Sequence, residues 1–193
     1  MISLLLVLLT ACGRGAEQTD IRAAYREMEG CTMEAVASCS QGDTLWEAHL
    51  RCAYRPEQST VEVLAPETIS GVRAVLDGET LLLEYEDACL DAGPISSQSV
   101  SPADCLPRLM TALREGWLLE ENTETWQEVP CRRLTVDQTG ENGGKLLSTL
   151  WLREEDGLPV RGEISVDGEN ILTAEFTDFA FCDKINSTAN AGI

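Results

Sequence analysis

Residues 45–54 read Leu-Trp-Glu-Ala-His-Leu-Arg-Cys-Ala-Tyr, and apolar and polar side chains alternate along them. The even-numbered positions from Trp46 to Tyr54 are apolar or aromatic, whereas Glu47, His49 and Arg51 fall between them. A period of two residues is typical of a β-strand that buries one face and exposes the other. The stretch therefore predicts a half-buried strand.

The same alternation recurs along most of the chain. Further strand patterns lie around Val61 and Val63 and at residues 72–76, 81–85, 126–136, 146–152, 160–166 and 171–181. Gly71 and turn dipeptides at 77–78, 142–143, 156–157 and 167–168 separate these patterns. Short strands joined by tight turns predict an antiparallel meander.

Two segments have helical spacing instead. The first follows Asp20, which can cap a helix, and ends at Gly30, and the second follows Asp104 and ends at Gly116. The apolar stripes are Ile21, Ala24, Tyr25 and Met28 in the first segment and Leu106, Leu109, Met110 and Leu113 in the second. The sequence thus predicts an α+β domain in which one helix precedes the strands and one interrupts them.

Three adjacent apolar residues, Trp117-Leu118-Leu119, follow the second helical segment. A loop of this kind can project toward a membrane or a partner, and a strand that starts in the core can have the same composition. We favour the buried strand start.

The N-terminus carries the most informative functional signal. An apolar run ends in Leu9-Thr10-Ala11-Cys12, an order that resembles the bacterial lipobox, in which the cysteine is lipidated and the peptide is cut before it. The run is far shorter than the roughly 20 residues that a helix needs to span a bilayer. We expect a signal peptide at 1–11, a lipidated tether at 12–19 and an extracytoplasmic domain anchored to the bacterial cell membrane by Cys12. Met1-Ile2-Ser3 departs from this pattern because signal peptides have a basic start.

Charge and cysteine content narrow the classes of partner. The net charge of −19 repels phosphate backbones, so nucleic acid is not expected as a partner.

With 44% apolar residues the chain can build one core, which we expect at 20–185, followed by a disordered tail at 186–193. If Cys12 carries lipid, seven of the eight cysteines remain and their pairing is left open. No Cys-x-x-Cys pair is present, and we expect neither a metal nor a cofactor.

Several motifs resemble the LolA/LolB-type lipoprotein carriers of bacteria. They are Tyr54-Arg55-Pro56, the stretches 65–71 and 76–79, Leu158-Pro159-Val160, Asp167-Gly168 and residues 174–179. The resemblance implies a curved antiparallel sheet that forms an unclosed barrel, capped by the N-terminal helix and by the second helix between strands. It also implies a membrane-anchored carrier, without catalysis, that binds a hydrophobic ligand such as a lipid or its acyl chains.

An apolar inner face supplies candidate ligand-binding residues. They are Trp46, Leu50, Leu83, Tyr85, Leu150, Ile164 and Phe179 from the strands, with Leu109 and Leu113 from the second helix. The same side chains can instead fill the interior at close packing and leave no cavity. The sequence is compatible with both a cavity and a filled core.

A docking scaffold and an enzyme are the two alternatives to a carrier function. The layout is also similar to the germination lipoproteins of spore-forming bacteria, which implies a docking scaffold for an envelope enzyme such as a cell-wall amidase. An enzyme is not expected, because His49 is the single histidine, it lies on the polar face of its strand, and no Gly-x-Ser-x-Gly motif presents a serine.

Overall fold

The computed structural model describes residues 20–182 except 79, 96–99 and 141–143. The signal peptide, Cys12, the tether at 12–19, the Asn142-Gly143 turn and the tail at 186–193 lie outside the described residues. Their assignments therefore stay predictions.

A single antiparallel sheet of eleven strands dominates the described residues. Its first six strands are β1 (Cys31–Gln41), β2 (Thr44–Tyr54), β3 (Gln58–Ala65), β4 (Arg73–Asp77), β5 (Thr80–Tyr85) and β6 (Ala88–Pro94). The other five are β7 (Trp117–Trp126), β8 (Val129–Asp137), β9 (Leu146–Arg153), β10 (Pro159–Val166) and β11 (Glu169–Phe181). Two helices, α1 (Ala23–Glu27) and α2 (Cys105–Glu115), complete the fold.

The strand order is β6-β5-β4-β3-β2-β1-β11-β10-β9-β8-β7. Chain neighbours pair with each other, and the long pairing of β1 with β11, from Cys31 with Phe181 to Cys39 with Leu172, joins the two halves of the chain. The strands β6 and β7 are the two free edges, so the curved sheet is not closed. The predicted α+β fold with an unclosed sheet and two helices is confirmed.

Helix α2 lies against the inner face of the sheet, on β2, β8, β9 and β10. A cross-strand row of small residues, Gly162, Ala174, Ala37 and Ala48, lies on this face of β10, β11, β1 and β2. Leu109 approaches Gly162 so closely that a Cβ added there would lie 2.6 Å from Leu109 Cδ1. The small row therefore lets the helix pack close to the sheet.

Helix α1 is fastened to the C-terminal end of α2 by a buried arginine. Arg22 donates from Nε to the Leu113 carbonyl at 2.8 Å and from Nη2 to the Gly116 carbonyl at 2.8 Å. In return, Arg114 Nη1 donates to the Met28 carbonyl at 2.8 Å. Because the last carbonyls of a helix have no partner within it, these bonds satisfy groups that would otherwise be buried without one.

The outer face carries a row of alternating charges across five strands. Glu34, Arg51, Glu62, Arg73 and Glu84 are neighbours in register on β1 to β5. Arg51 Nε lies 2.8 Å from Glu34 Oε1 and Arg73 Nη1 lies 2.7 Å from Glu84 Oε2. Opposite charges in directly facing positions favour this pairing register.

Two details of the sequence-based prediction differ from the structure. Strand β6 was not predicted, because nearly all of its residues are exposed and it shows no apolar alternation. Trp117 does begin a strand, but this strand start is not buried: the exposed fractions are 76% for Trp117 and 48% for Leu119. This strand, β7, is a free edge of the sheet.

Candidate functional site: an apolar hollow beside the second helix

The inner face of the sheet is filled where helix α2 covers it. Five of the nine candidate ligand-binding residues are fully buried in this packed core: Leu50, Leu109, Leu113, Leu150 and Ile164. They pack with Leu134, Leu152 and Leu172 in one continuous cluster. We call this covered region, the inner face of β2 and β8–β10, the closed half.

The inner face of β3, β4 and β5 has a cavity instead, which we call the apolar hollow. Its volume is about 260 Å³. It is lined by Val61, Val63, Ile69, Val72, Ala74, Leu81, Leu83, Ser101, Pro102 and Ala103. Leu83, one of the nine candidate residues, is therefore part of this lining. We call β3–β5 with this hollow the open half.

Register explains how the floor of the apolar hollow is built. Val61 faces Ala74 on β4, and Ala74 in turn faces Leu83 on β5. Ala74 is short, so the row has a depression between two larger apolar side chains. The wall opposite this floor is the segment Ser101–Ala103, which leads into α2.

This wall segment is held by Asp104. Asp104 Oδ1 accepts hydrogen bonds from the backbone N–H and from the hydroxyl of Ser101, each at 2.8 Å. Its other oxygen forms an ion pair with Arg108 one turn further along α2, and both side chains are largely buried. The start of the helix and the wall of the hollow are thus positioned by one carboxylate.

A second cavity of about 310 Å³, the polar hollow, adjoins the apolar one. Its lining includes Arg55, Glu57, Ser59 and Leu76 from the β2–β4 side, and Asp104, Arg108 and Thr111 from the helix side. Tyr54 Oη and Thr111 Oγ1 lie 3.3 Å apart at its inner end. This hollow therefore offers both charged and hydroxyl groups to a ligand.

The remaining three candidate residues lie elsewhere. Trp46 lines a groove of about 490 Å³ where β1, β2 and β11 meet, with polar neighbours such as Ser38, Glu47 and Asn170. Tyr85 is exposed at the end of β5. Phe179 packs against Tyr25 and Phe181, with ring centroids 6.1 Å and 5.1 Å away. The structure does not bring these three together with Leu83.

The hollow itself was not found in the sequence. Alternation in the sequence predicts large inward-facing residues as the lining, whereas the structure lines the hollow mainly with medium and small ones such as Val61, Ala74 and Ala103. A usable signal was the proline at 102 in a small-residue segment directly before the helix, since such a segment cannot fill the space beside it.

The seven cysteines of the described residues are all free thiols. Burial raises the pKa of the Cys31 thiol to about 12, with a smaller contribution from nearby Cys182. Burial likewise raises the pKa of Cys52 and of Cys105. Cys89, in contrast, is exposed on the edge strand β6. The buried thiols are therefore small core side chains that resist ionisation.

His49 lies on the outer face, away from both hollows. Its Nε2 is 3.4 Å from Glu34 Oε2, in the row of alternating charges. Across the part of the chain that the structure describes, no group of three or more His, Cys, Asp or Glu side chains is arranged to hold a metal. Neither helix within the described ranges is long and apolar enough to cross a bilayer.

Fold and site together define an open-barrel domain with an internal apolar cavity. No protein-family model matches the chain, and no curated protein matches it. Solved structures are similar in fold. LprF from Mycobacterium bovis is 16% identical with a TM-score of 0.47, over 86% of this chain and 92% of that one.

Two further solved structures are similar in the same way. A LolA superfamily protein from Nitrosomonas europaea is 11% identical with a TM-score of 0.45, over 85% of this chain and 91% of that one. The CwlD amidase from Clostridioides difficile in complex with the GerS lipoprotein matches at 11% identity and a TM-score of 0.41, over 81% and 88%. The similar structures thus include LolA superfamily proteins and lipoproteins, and this similarity concerns the fold alone.

Proposed function

We propose that this chain is a lipid-anchored protein of the bacterial cell envelope that binds a hydrophobic ligand in the apolar hollow and has no catalytic role. The observation that carries the proposal is the hollow itself, about 260 Å³ in volume and lined by the inner faces of three strands. Uptake of an apolar ligand by an open apolar cavity is favourable, because it removes the apolar surfaces of the cavity and of the ligand from water.

The lining favours a slender apolar ligand over a polar one. Eight of its ten residues are Val, Ile, Leu or Ala, and those from the sheet carry no polar side chain. A polar group placed there would lose its hydrogen bonds to water. The volume is slightly below the range of about 300–1,000 Å³ that drug-sized ligands occupy. A single acyl chain fits these conditions.

Membrane attachment through Cys12 is the second part of the proposal, and it rests on the lipobox-like residues 9–12. Two acyl chains on the cysteine would hold the domain at the membrane firmly, since each buried methylene contributes about 0.8 kcal/mol. We expect Cys12→Ala to move the protein from the membrane fraction to the soluble fraction. Unchanged membrane retention of this variant would contradict the anchor and leave the hollow unaffected.

Ligand binding can be tested with straight-chain alcohols that displace a fluorescent apolar dye. Affinity should rise about fourfold for each added methylene, which corresponds to about 0.8 kcal/mol, and should level off once the hollow is full. Ala74→Phe places a ring in the floor of the hollow and should abolish displacement. Ala53→Phe, on an exposed position of β2, is the matched control and should bind like the unchanged protein.

The result that would overturn ligand binding is specific. If Ala74→Phe retains its melting temperature and the alcohols still displace the dye with the same affinities, the ligand is not in this hollow. If no alcohol displaces the dye from the unchanged protein, the hollow binds no apolar chain at all.

A docking scaffold for an envelope enzyme is the second candidate function. The observation that favours it is the exposed start of β7, where Trp117 is 76% and Leu119 is 48% exposed on a free sheet edge. Such side chains on an edge strand can pair with a partner protein. If this function is correct, Trp117→Ser with Leu119→Ser should abolish capture of a cell-wall amidase, while Ala74→Phe should retain it.

A further inference from the structure

We propose that the ligand is a single-chain amphiphile with an anionic head group, whose tail lies in the apolar hollow and whose head lies in the polar hollow beside Arg55. The inference rests on the proposed function, because it requires that the apolar hollow takes an acyl chain. It adds the chemical class of the head group and the residue that selects it.

The two hollows are adjacent along the same strands. The pair Val61 and Ala74 belongs to the floor of the apolar hollow, and the inward-facing pair Ser59 and Leu76, two residues further along, lines the polar hollow. Two residues along a strand span about 7 Å. One elongated molecule can therefore occupy both cavities without leaving the inner face of the sheet.

The helix side shows the same succession. Ala103 is the last wall residue of the apolar hollow, and Asp104, the next residue, lines the polar one. Asp104 is already engaged by Ser101 and by Arg108. Its carboxylate consequently offers little to a ligand, and the charge of Arg108 is balanced by it.

Arg55 is the basic group that remains for a ligand. No ion pair involves it among the residues that the structure describes, although ten other arginines there have a carboxylate or backbone carbonyl partner. A guanidinium presents several N–H donors that match a carboxylate or a phosphate. In a chain with a net charge of −19, an arginine without an ion pair in a hollow that adjoins an apolar cavity points to an anionic ligand group.

Glu57 is the competing charge, because it lines the polar hollow two residues after Arg55. If Glu57 selected the head group, a cationic amphiphile would bind instead. Arginine is favoured here because its guanidinium can donate two parallel hydrogen bonds to one anionic head group. A carboxylate has only acceptor atoms, so Glu57 could hydrogen-bond a head group only if that group were a donor.

Four probes with the same ten-carbon tail test the head group: decanoate, decyl phosphate, decan-1-ol and decyltrimethylammonium. We expect the two anions to bind about tenfold more tightly than decan-1-ol, as a charged hydrogen bond typically provides. The tighter of the two anions identifies a carboxylate or a phosphate as the preferred head. The advantage should shrink as the salt concentration rises, because the polar hollow is open to solvent.

Arg55→Gln should remove the advantage of the anions and leave decan-1-ol binding unchanged. Arg26→Gln, at an exposed arginine paired with Asp20 far from both hollows, is the matched control and should keep the advantage. This split between head and tail would not arise if Arg55 only supported the fold, because all four probes would then weaken together.

The outcomes separate the two proposals. Equal affinity of decan-1-ol and the anions, or an equal loss for all probes in Arg55→Gln, overturns the anionic head group and leaves hydrophobic binding standing. Tighter binding of decyltrimethylammonium also overturns it and assigns the head to Glu57. Binding of none of the four probes overturns the proposed function itself.

Discussion

The closed and open halves of the inner face have the same alternation of apolar and polar residues along their strands. The closed half is nevertheless packed, whereas the open half borders a cavity. In the closed half, helix α2 covers β8, β9 and β10, and Leu134, Leu150 and Ile164 are fully buried. In the open half, β3 to β5 carry equally apolar side chains around a cavity of about 260 Å³. An apolar inner face therefore does not show by itself whether the space beside it is filled. The position of the helix determines which part of this face packs against protein and which part borders a cavity.

The largest expected difference between the halves is in stability. Leu109→Ala in the closed half should lower the free energy of unfolding by about 2–5 kcal/mol, because it leaves a cavity in a packed core. Leu83→Ala in the open half should lower it by about 1 kcal/mol, since this side chain already borders a cavity. Urea denaturation measures both. Equal losses would show that the two halves are packed alike and would remove the comparison.

The hydrogen bonds of Arg22 hold the C-terminal end of α2, the helix that covers the closed half. Arg22→Met should lower the free energy of unfolding by about 1.5–3 kcal/mol, the range for hydrogen bonds of charged groups, because the carbonyls of Leu113 and Gly116 lose their donor. Arg26→Met removes an exposed ion pair and should change stability by less than about 1 kcal/mol. A loss for Arg22→Met no larger than for Arg26→Met would show that the contact is not needed.

Gly162→Ala tests whether the small row sets the position of the helix. The new Cβ would lie 2.6 Å from Leu109 Cδ1, so the leucine or the helix must move, and we expect a loss of about 1–3 kcal/mol. Gly140→Ala is the control, because nothing lies within 4 Å of its added Cβ. If Gly162→Ala unfolds at the same urea concentration as the control, the helix is not held by close approach to β10.

The smallest effect concerns the buried thiols. The ordinary thiol pKa is 9.0, whereas Cys31 in the folded protein has a pKa of about 12. Between these values the unfolded chain has lost this proton and the folded chain has kept it. The free energy of unfolding should therefore fall as pH rises above about 9, by up to about 1.4 kcal/mol per pH unit for this thiol.

Urea denaturation between pH 8 and 10.5 checks this dependence. Cys31→Ala should flatten the decline. Cys89→Ala should leave it unchanged, because Cys89 is exposed on the edge of the open half. A decline of the same steepness in both variants would mean that the Cys31 thiol does not contribute to it.

Much of the fold could be predicted because local patterns determine it. The alternation at residues 45–54 appears as β2, with Leu50 and Cys52 buried. Asp104 and Gly116 stand at the two ends of α2 as predicted, although the Asp104 side chain makes no capping hydrogen bond and Gly116 has an extended backbone with φ −65°. The first helix is shorter than its apolar stripe, since α1 has helical geometry only at Ala23–Glu27. A free edge strand such as β6 escaped prediction because both of its faces are exposed.

The candidate site could be predicted only in part. Inward-facing residues followed from alternation, and Leu83 is among those that line the hollow. Which inward-facing residues are covered by the helix depends on Gly162 meeting Leu109, a contact between residues 53 positions apart in the sequence. Alternation contains no information about such a long-range approach, so Leu150 and Leu83 look alike in the sequence.

Arg22 and Arg114, which join α1 to α2, also affect how a pulling force on the N-terminus is transmitted through this domain. A chain held at its N-terminus and pulled would first load α1, and Arg22 and Arg114 would pass that load to the C-terminal end of α2. The apolar hollow borders the opposite, N-terminal end of the same helix. A pull on the chain before α1 would thus act on the helix whose preceding segment, Ser101–Ala103, forms one wall of the cavity.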